Sequence, residues 1–161
     1  MPCGETKCGS IYEGTASIEM TAKASGISKK AGFGLYTRKR CVREKRIGSF
    51  GGQLLCALCA RKKKKKDGKE GKYKAIEVEQ DFGHTLEASG VYWYIYRTGS
   101  GAVDGDMWFI NSSREKNKRG YKHPNVYFKG IGFYSDGTPA IEVFSLTHIE
   151  SDQELLAKYM K

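Results

Sequence analysis

The sequence predicts a mostly β domain made of several small twisted sheets with few helices. Three observations carry this. Short runs rich in β-branched and aromatic residues recur at close spacing, among them Val91-Tyr92-Trp93-Tyr94-Ile95-Tyr96 and Ala140-Ile141-Glu142-Val143-Phe144-Ser145-Leu146. Glycine, aspartate and proline punctuate these runs as turn formers do. Helical periodicity is confined to residues 151–160, and no strand–helix–strand alternation or internal repeat is present.

The elements follow in order. Residues 1–15 are polar and glycine-rich without periodicity and are expected to be a mobile tail, with the domain proper over 16–161. Ser17-Ile18-Glu19-Met20-Thr21-Ala22 alternates polar and apolar, as a half-buried strand does. Residues 26–34 are expected to form a loop, Leu35 and Tyr36 to open the next strand, and residues 40–46 to be a charged connection. Residues 47–58 are broken by glycine and then strongly apolar, which predicts a buried strand running on through Cys56-Ala57-Leu58-Cys59. The basic stretch from Arg61 to Lys74 is expected to be a solvated loop, because like charges repel and no apolar face is present. Ala75-Ile76-Glu77-Val78-Glu79 alternates again. Val126-Tyr127-Phe128 and the run from Ala140 are expected to be strands joined through Ser135-Asp136-Gly137-Thr138-Pro139, with Asp-Gly as a hairpin signal. Ser151-Asp152-Gln153-Glu154 fits a capping box before Leu155, Leu156 and Met160, which predicts a terminal helix.

Composition bounds the function. The chain has 161 residues, 39% hydrophobic and 12% aromatic, enough for one domain with a real core and too apolar for a disordered chain. No apolar run approaches the roughly 18 residues of a membrane span, and Met1-Pro2-Cys3-Gly4-Glu5 does not open a signal peptide, so an intracellular protein with no membrane partner is expected. The net charge of +10 is local: residues 61–74 carry nine Lys/Arg against Asp67 and Glu70, and residues 38–46 carry six against Glu44. Such stretches suit a nucleic acid or an acidic partner, and the five-lysine run reads as a nuclear import signal.

The five cysteines are Cys3, Cys8, Cys41, Cys56 and Cys59; an odd number in an intracellular chain is not a disulfide framework. Cys3, Cys8, Cys56 and Cys59 are open to two readings, four thiolates for a tetrahedral zinc or buried thiols acting as small hydrophobes, and no metal ligand is assigned. Gly32-Phe33-Gly34 precedes a strand with no helix after it, which argues against a dinucleotide fingerprint and for either a hairpin turn or a close approach of backbone to a ligand.

Several motifs stand in one order: Gly32-Phe33-Gly34-Leu35-Tyr36, Phe50-Gly51-Gly52-Gln53, Val103-Asp104, Phe109-Ile110-Asn111-Ser112-Ser113, Pro124-Asn125-Val126, and the segment from Ile149 to Tyr159. In this order, over residues 17–159, they resemble a SET domain, the fold of many protein lysine methyltransferases. The resemblance implies a β-clip of small sheets, S-adenosylmethionine as cofactor, a protein substrate that presents a lysine, and a nuclear, chromatin-directed role. It implies that Gly32, Phe33 and Gly34 line the methionine end of the cofactor, that Asn111 holds its amino group, and that the Ser112 backbone faces the adenine. Phe50 and Phe128 would line the lysine channel, and Tyr159 would be the catalytic residue that orients the attacking nitrogen.

This chain departs from the family pattern at named places. Ser112 stands where the family has His and Arg114 where it has Cys, and residues 114–123 form a longer polar stretch than the family has there. Leu155-Leu156 before the final Tyr is similar to the PR branch, in which activity is uneven. The sequence ends two residues after Tyr159, where active relatives add a segment that roofs the lysine channel, so that segment is expected to be missing, truncated or supplied by a second copy that completes the channel. Two further functions therefore stand beside the enzyme: a SET-like module without catalysis that acts as a nuclear scaffold, and a basic nucleic-acid-binding domain whose Tyr92, Trp93, Tyr94 and Tyr96 stack bases if exposed.

Overall fold

The computed structural model of the chain describes residues 8–27, 32–67, 75–78, 93–113, 122–135 and 139–158, with 67, 75–78, 130–133 and 139–140 described as backbone alone. In chain order the elements are β1 (Ile11–Tyr12), β2 (Thr15–Ala16), β3 (Met20–Ala24), β4 (Phe33–Thr37), β5 (Arg46–Ser49), β6 (Gly52–Cys56), α1 (Ala57–Asp67), β7 (Ala75–Val78), β8 (Trp93–Tyr96), α2 (Gly101–Asp104), a 3-10 turn (Asp106–Phe109), β9 (Asn111–Ser112), β10 (Val126–Phe133), β11 (Pro139–Ser145) and β12 (Leu156–Ala157). The architecture is mostly β, in several small sheets.

The chain divides into two compact units. The first comprises Met1–Gly14, Gly51–Asp104 and Gly130–Ile141. Its sheet has the order β1-β6-β8-β7, with every neighbour antiparallel. Leu54, Leu55, Trp93, Ile95 and Tyr96 are buried there. Buried Asp104 holds the turn after β8 by accepting from the Thr98 and Gly99 amides, both at 2.8 Å.

The second unit comprises Thr15–Phe50, Gly105–Lys129 and Glu142–Lys161. The antiparallel pair β3-β4 lies in it, as do strands of a sheet ordered β2-β5-β11-β10-β12-β9. Strand β12 runs parallel to both of its neighbours, with Val126 opposite Ala157 and Asn111 opposite Leu156. A late segment is thus inserted between two earlier ones. Leu35, Ile47, Met107, Ile110, Val126, Val143, Ile149 and Leu155 form the buried centre of this unit.

The structure corrects four expectations. Residues 8–15 are no tail: Cys8 is buried and β1 pairs with β6. The expected strand through the CxxC stops at Cys56, because α1 begins at Ala57. The lysine run is helical as far as Asp67, while residues 68–74 lie outside the described ones. Ala, Leu, Arg and Lys are strong helix formers, and a repelling i,i+4 pair costs only about 0.2–0.5 kcal/mol. Lys64, Lys65 and Lys66 also occupy the last turn, where positive charge complements the helix dipole. The terminal helix is absent from residues 151–158, which form a turn, a bridge at Glu154 and β12. Asp152 has φ 60°, and the four consecutive residues from Glu154 to Ala157 are buried. Sheet pairing on both sides outweighs the local capping pattern, as tertiary context commonly outweighs propensity.

Candidate functional site

The second unit brings three sequence-distant segments to one place. Strand β4 presents Phe33 and Gly34, β9 presents Asn111, and the bridge before β12 presents Glu154. The Asn111 side-chain amide donates to the Phe33 carbonyl at 3.0 Å and to Glu154 Oε2 at 3.3 Å. The positions expected to hold a cofactor's methionine end, Phe33, Gly34 and Asn111, are therefore neighbours. Glu154 joins them; the sequence placed it in a helix cap and in the Ile149–Tyr159 motif without giving it a role in the site.

Glu154 is buried and fully engaged. Its Oε2 also accepts from Ser25 Oγ at 2.7 Å, and its Oε1 accepts from the Gly26 amide at 2.9 Å and the Tyr36 hydroxyl at 3.3 Å. The carboxylate thus ties the β3–β4 connection to the segment before β12. A Cβ at Gly34 would meet the Glu154 carboxylate. Any larger residue at position 34 would have to displace that side chain from its hydrogen bonds. Gly32, two residues earlier, has φ 68°, a conformation that glycine adopts without strain.

Tyr36 senses this environment. Burial pushes its phenol above the ordinary value, and the negative charge of Glu154 pushes it the same way. The hydroxyl donates to the Ala24 carbonyl at 2.9 Å, and Lys23 Nζ lies 4.4 Å from the ring centre while pairing with Asp152 at 2.6 Å.

Asn125 fixes the strand that carries Glu154. Its buried side chain donates to the Glu154 carbonyl and accepts from the Leu156 amide, both at 2.8 Å. The amide imitates a stretch of backbone and holds β12 in line. The Pro124-Asn125-Val126 motif signalled this position without revealing the role.

Two aromatic groupings belong to the same unit. Phe33 and Phe109 meet edge to face with ring centres 6.4 Å apart. They are 63% and 39% exposed, so this pair is a rim and not core. Phe50 packs edge to face on Phe128 at 5.0 Å and on Trp108 at 4.9 Å. The structure brings Phe50 and Phe128 together and adds Trp108, which the sequence did not single out. Ser112 is exposed, and its hydroxyl donates to the Ser113 carbonyl at 3.0 Å. Tyr159 lies outside the described residues, as do residues 114–121.

The base-stacking expectation loses its platform. Trp93 and Tyr96 are buried and Tyr94 is half-buried, while Tyr92 lies outside the described residues. Strand β8 spends its aromatics on the core.

No protein-family model matches the chain, and no curated protein matches it in sequence. Solved structures do match in fold. The chain superimposes on the Neurospora SET domain protein DIM-5, a histone lysine methyltransferase, with TM-score 0.65 and 15% identity, covering 91% of this chain and 54% of that one. The fold is that of a SET domain. Polycomb Repressive Complex 2 of Chaetomium thermophilum matches with TM-score 0.60 and 15% identity, over 91% of this chain and 16% of that one. A humanized mutant of that complex, bound to the inhibitor GSK126, gives TM-score 0.58 and 16% identity over 89% and 15%. The SET-like chain thus spans about half of the Neurospora protein and a small part of the Polycomb chains.

Proposed function

We propose that this SET-like chain is an S-adenosylmethionine-dependent protein lysine N-methyltransferase that acts in the nucleus on a histone or another chromatin protein. The observation that carries this is the meeting of the Phe33 carbonyl, the Asn111 amide and the Glu154 carboxylate. The cofactor bears an ammonium and a sulfonium, and this electronegative group suits positive charge. When bound, the cofactor supplies a methyl group activated by positive sulfur. The backbone at Gly32, Phe33 and Gly34, with the Asn111 side chain, holds the amino end. The exposed Phe33–Phe109 pair offers an apolar face for the adenine beside the Ser112 backbone.

The Phe50–Phe128–Trp108 cluster lines the lysine entry. An apolar channel strips water from the amine and favours its neutral, nucleophilic form. Fixed alignment supplies most of the remaining rate, as it does for displacement reactions that need little acid–base chemistry. Tyr159 orients the nitrogen in this scheme. The exposed lysines of α1 meet DNA or an acidic partner.

Calorimetric titration with S-adenosylmethionine tests the reading, followed by transfer of labelled methyl to histones. Binding by the intact chain that Asn111→Ala weakens about ten- to hundred-fold, together with labelled lysine, is the expected result. Intact protein that neither binds nor transfers overturns it.

One observation favours a SET-like module without catalysis. Glu154 accepts from four donors, Ser25, Gly26, Tyr36 and Asn111, as many as a carboxylate has lone-pair sites. Cofactor binding that fails in a protein that is otherwise folded and stable selects this second reading.

A further inference from the structure

Three cysteines of the first unit converge although they come from different elements. The sulfurs of Cys8, Cys56 and Cys59 all lie within 4.8 Å of one another, and none of the three is in a disulfide. The backbone explains the meeting. Strand β1 pairs antiparallel with β6, and the pairing continues as Gly9 N–H donates to the Leu54 carbonyl at 2.6 Å and Leu54 N–H to the Ser10 carbonyl at 2.8 Å. This carries Cys8 back to the end of β6, where the Cys56 amide donates to Cys8 Sγ at 3.3 Å. Helix α1 starts directly after Cys56, so Cys59 returns to the same side one turn later.

We propose that Cys8, Cys56 and Cys59 bind a zinc ion as thiolates. A zinc bonded to sulfur at about 2.3 Å in a tetrahedron holds neighbouring sulfurs about 3.8 Å apart. The observed cluster needs only a small contraction to reach that spacing. Simple packing does not require three sulfurs at one point, and a disulfide between any two would strand the third.

The surroundings suit an anionic ligand set. The first turn of α1 has no acidic side chain to repel thiolates, and the positive end of a helix dipole favours negative charge. The Cys56 amide bonded to Cys8 sulfur is the kind of outer contact that orients a metal ligand. Cys8 and Cys56 are 3% and 7% exposed, which keeps their sulfurs from bulk oxidants, and Cys59 is half-buried. Each thiol loses its proton to solvent as the metal binds, so affinity rises with pH. The site clamps the strand leading to α1, the helix that carries the lysine run. Cofactor chemistry plays no part in it.

The test uses the full chain, reduced and stripped of metal. Cobalt(II) is titrated in, and zinc is then added. One equivalent of cobalt should give tetrahedral visible bands and a thiolate charge-transfer band, both removed by zinc. Cys8→Ser, Cys56→Ser and Cys59→Ser should each weaken the charge-transfer band. Zinc should also raise the melting temperature of the native chain and protect its cysteines from alkylation, readouts that need no variant to fold. A cobalt spectrum without charge transfer, alkylation unchanged by zinc, or a ready Cys56–Cys59 disulfide that zinc does not prevent overturns the proposal.

Discussion

The Asn111 side chain donates to Glu154 across the base of the candidate site, at 3.3 Å, while the same nitrogen holds the Phe33 carbonyl at 3.0 Å. One amide thereby joins three segments that are far apart in sequence. Removing it should disturb ligand binding more than stability, because Asn111 is only half-buried. Asn111→Ala is expected to weaken S-adenosylmethionine binding about ten- to hundred-fold, the range for losing one hydrogen bond to a charged group. Calorimetry measures this directly, and an unchanged affinity would remove Asn111 from the site.

Glu154 answers to a different readout. Truncation takes one acceptor from each of Ser25, Gly26, Tyr36 and Asn111 at a part-buried place. Glu154→Ala should therefore cost about 3 kcal/mol or more of unfolding free energy. Glu154→Gln keeps an acceptor and should cost less. Denaturant unfolding of the two variants checks the order, and equal losses would argue against a network centred on the carboxylate.

Asn125 carries the strand insertion. Asn125→Ala orphans the buried Leu156 amide, at a cost of about 1–3 kcal/mol. Asn125→Asp keeps the acceptor for Leu156 and loses the donor to the Glu154 carbonyl. Hydrogen exchange at Leu156 should accelerate strongly in the alanine variant and less in the aspartate one.

The phenols of Tyr36 and Tyr127 titrate late. Burial and then Glu154 raise the first; a hydrogen bond to Glu44, 2.7 Å long, is the main cause for the second. A folded-state value above the unfolded one means stability that is complete below about pH 10 and falls as pH rises through the folded value. Phenolate absorbance against pH should show two late transitions. Tyr36→Phe should remove one and Tyr127→Phe the other, and loss of neither would contradict the assignment.

The basic helix predicts salt dependence. Lys64, Lys65 and Lys66 are exposed in the last turn of α1, whereas Lys63 is half-buried with its Nζ 5.4 Å from the centre of the Tyr96 ring. Changing the three exposed lysines to alanine should weaken duplex DNA binding. The slope against log salt should become shallower by about 0.9 for each phosphate left without its lysine. The cofactor titration should not change. A slope equal to that of the native chain would show that α1 does not bind DNA.

Much of the fold was legible because strands announce themselves locally. The runs expected to be strands at Val91–Tyr96 and Ala140–Leu146 contain β8 and most of β11, at Trp93–Tyr96 and Pro139–Ser145, since a pleated, half-buried surface favours β-branched and aromatic side chains wherever it occurs. The order of the Gly32, Phe50, Asn111 and Pro124 motifs pointed to the SET-like fold that the solved structures share. Residues 151–158 were misread for the opposite reason. Their spacing fits a helix cap, but strands on both sides recruit them, and no local pattern reports a partner tens of residues away.

The sequence by itself determined the mostly β class, the concentration of positive charge in two stretches, and the residue types available for a cofactor site. Only the tertiary structure decided which of them meet. It set Glu154 against Gly34 and Asn111, turned the lysine run into a helix, took the β8 aromatics into the core, and drew Cys8 to Cys56 and Cys59. Apart from the helix, each of these depends on pairing between segments far apart in the chain. The closure entropy of such pairings is repaid by burial and hydrogen bonds that exist only once the whole sheet has formed.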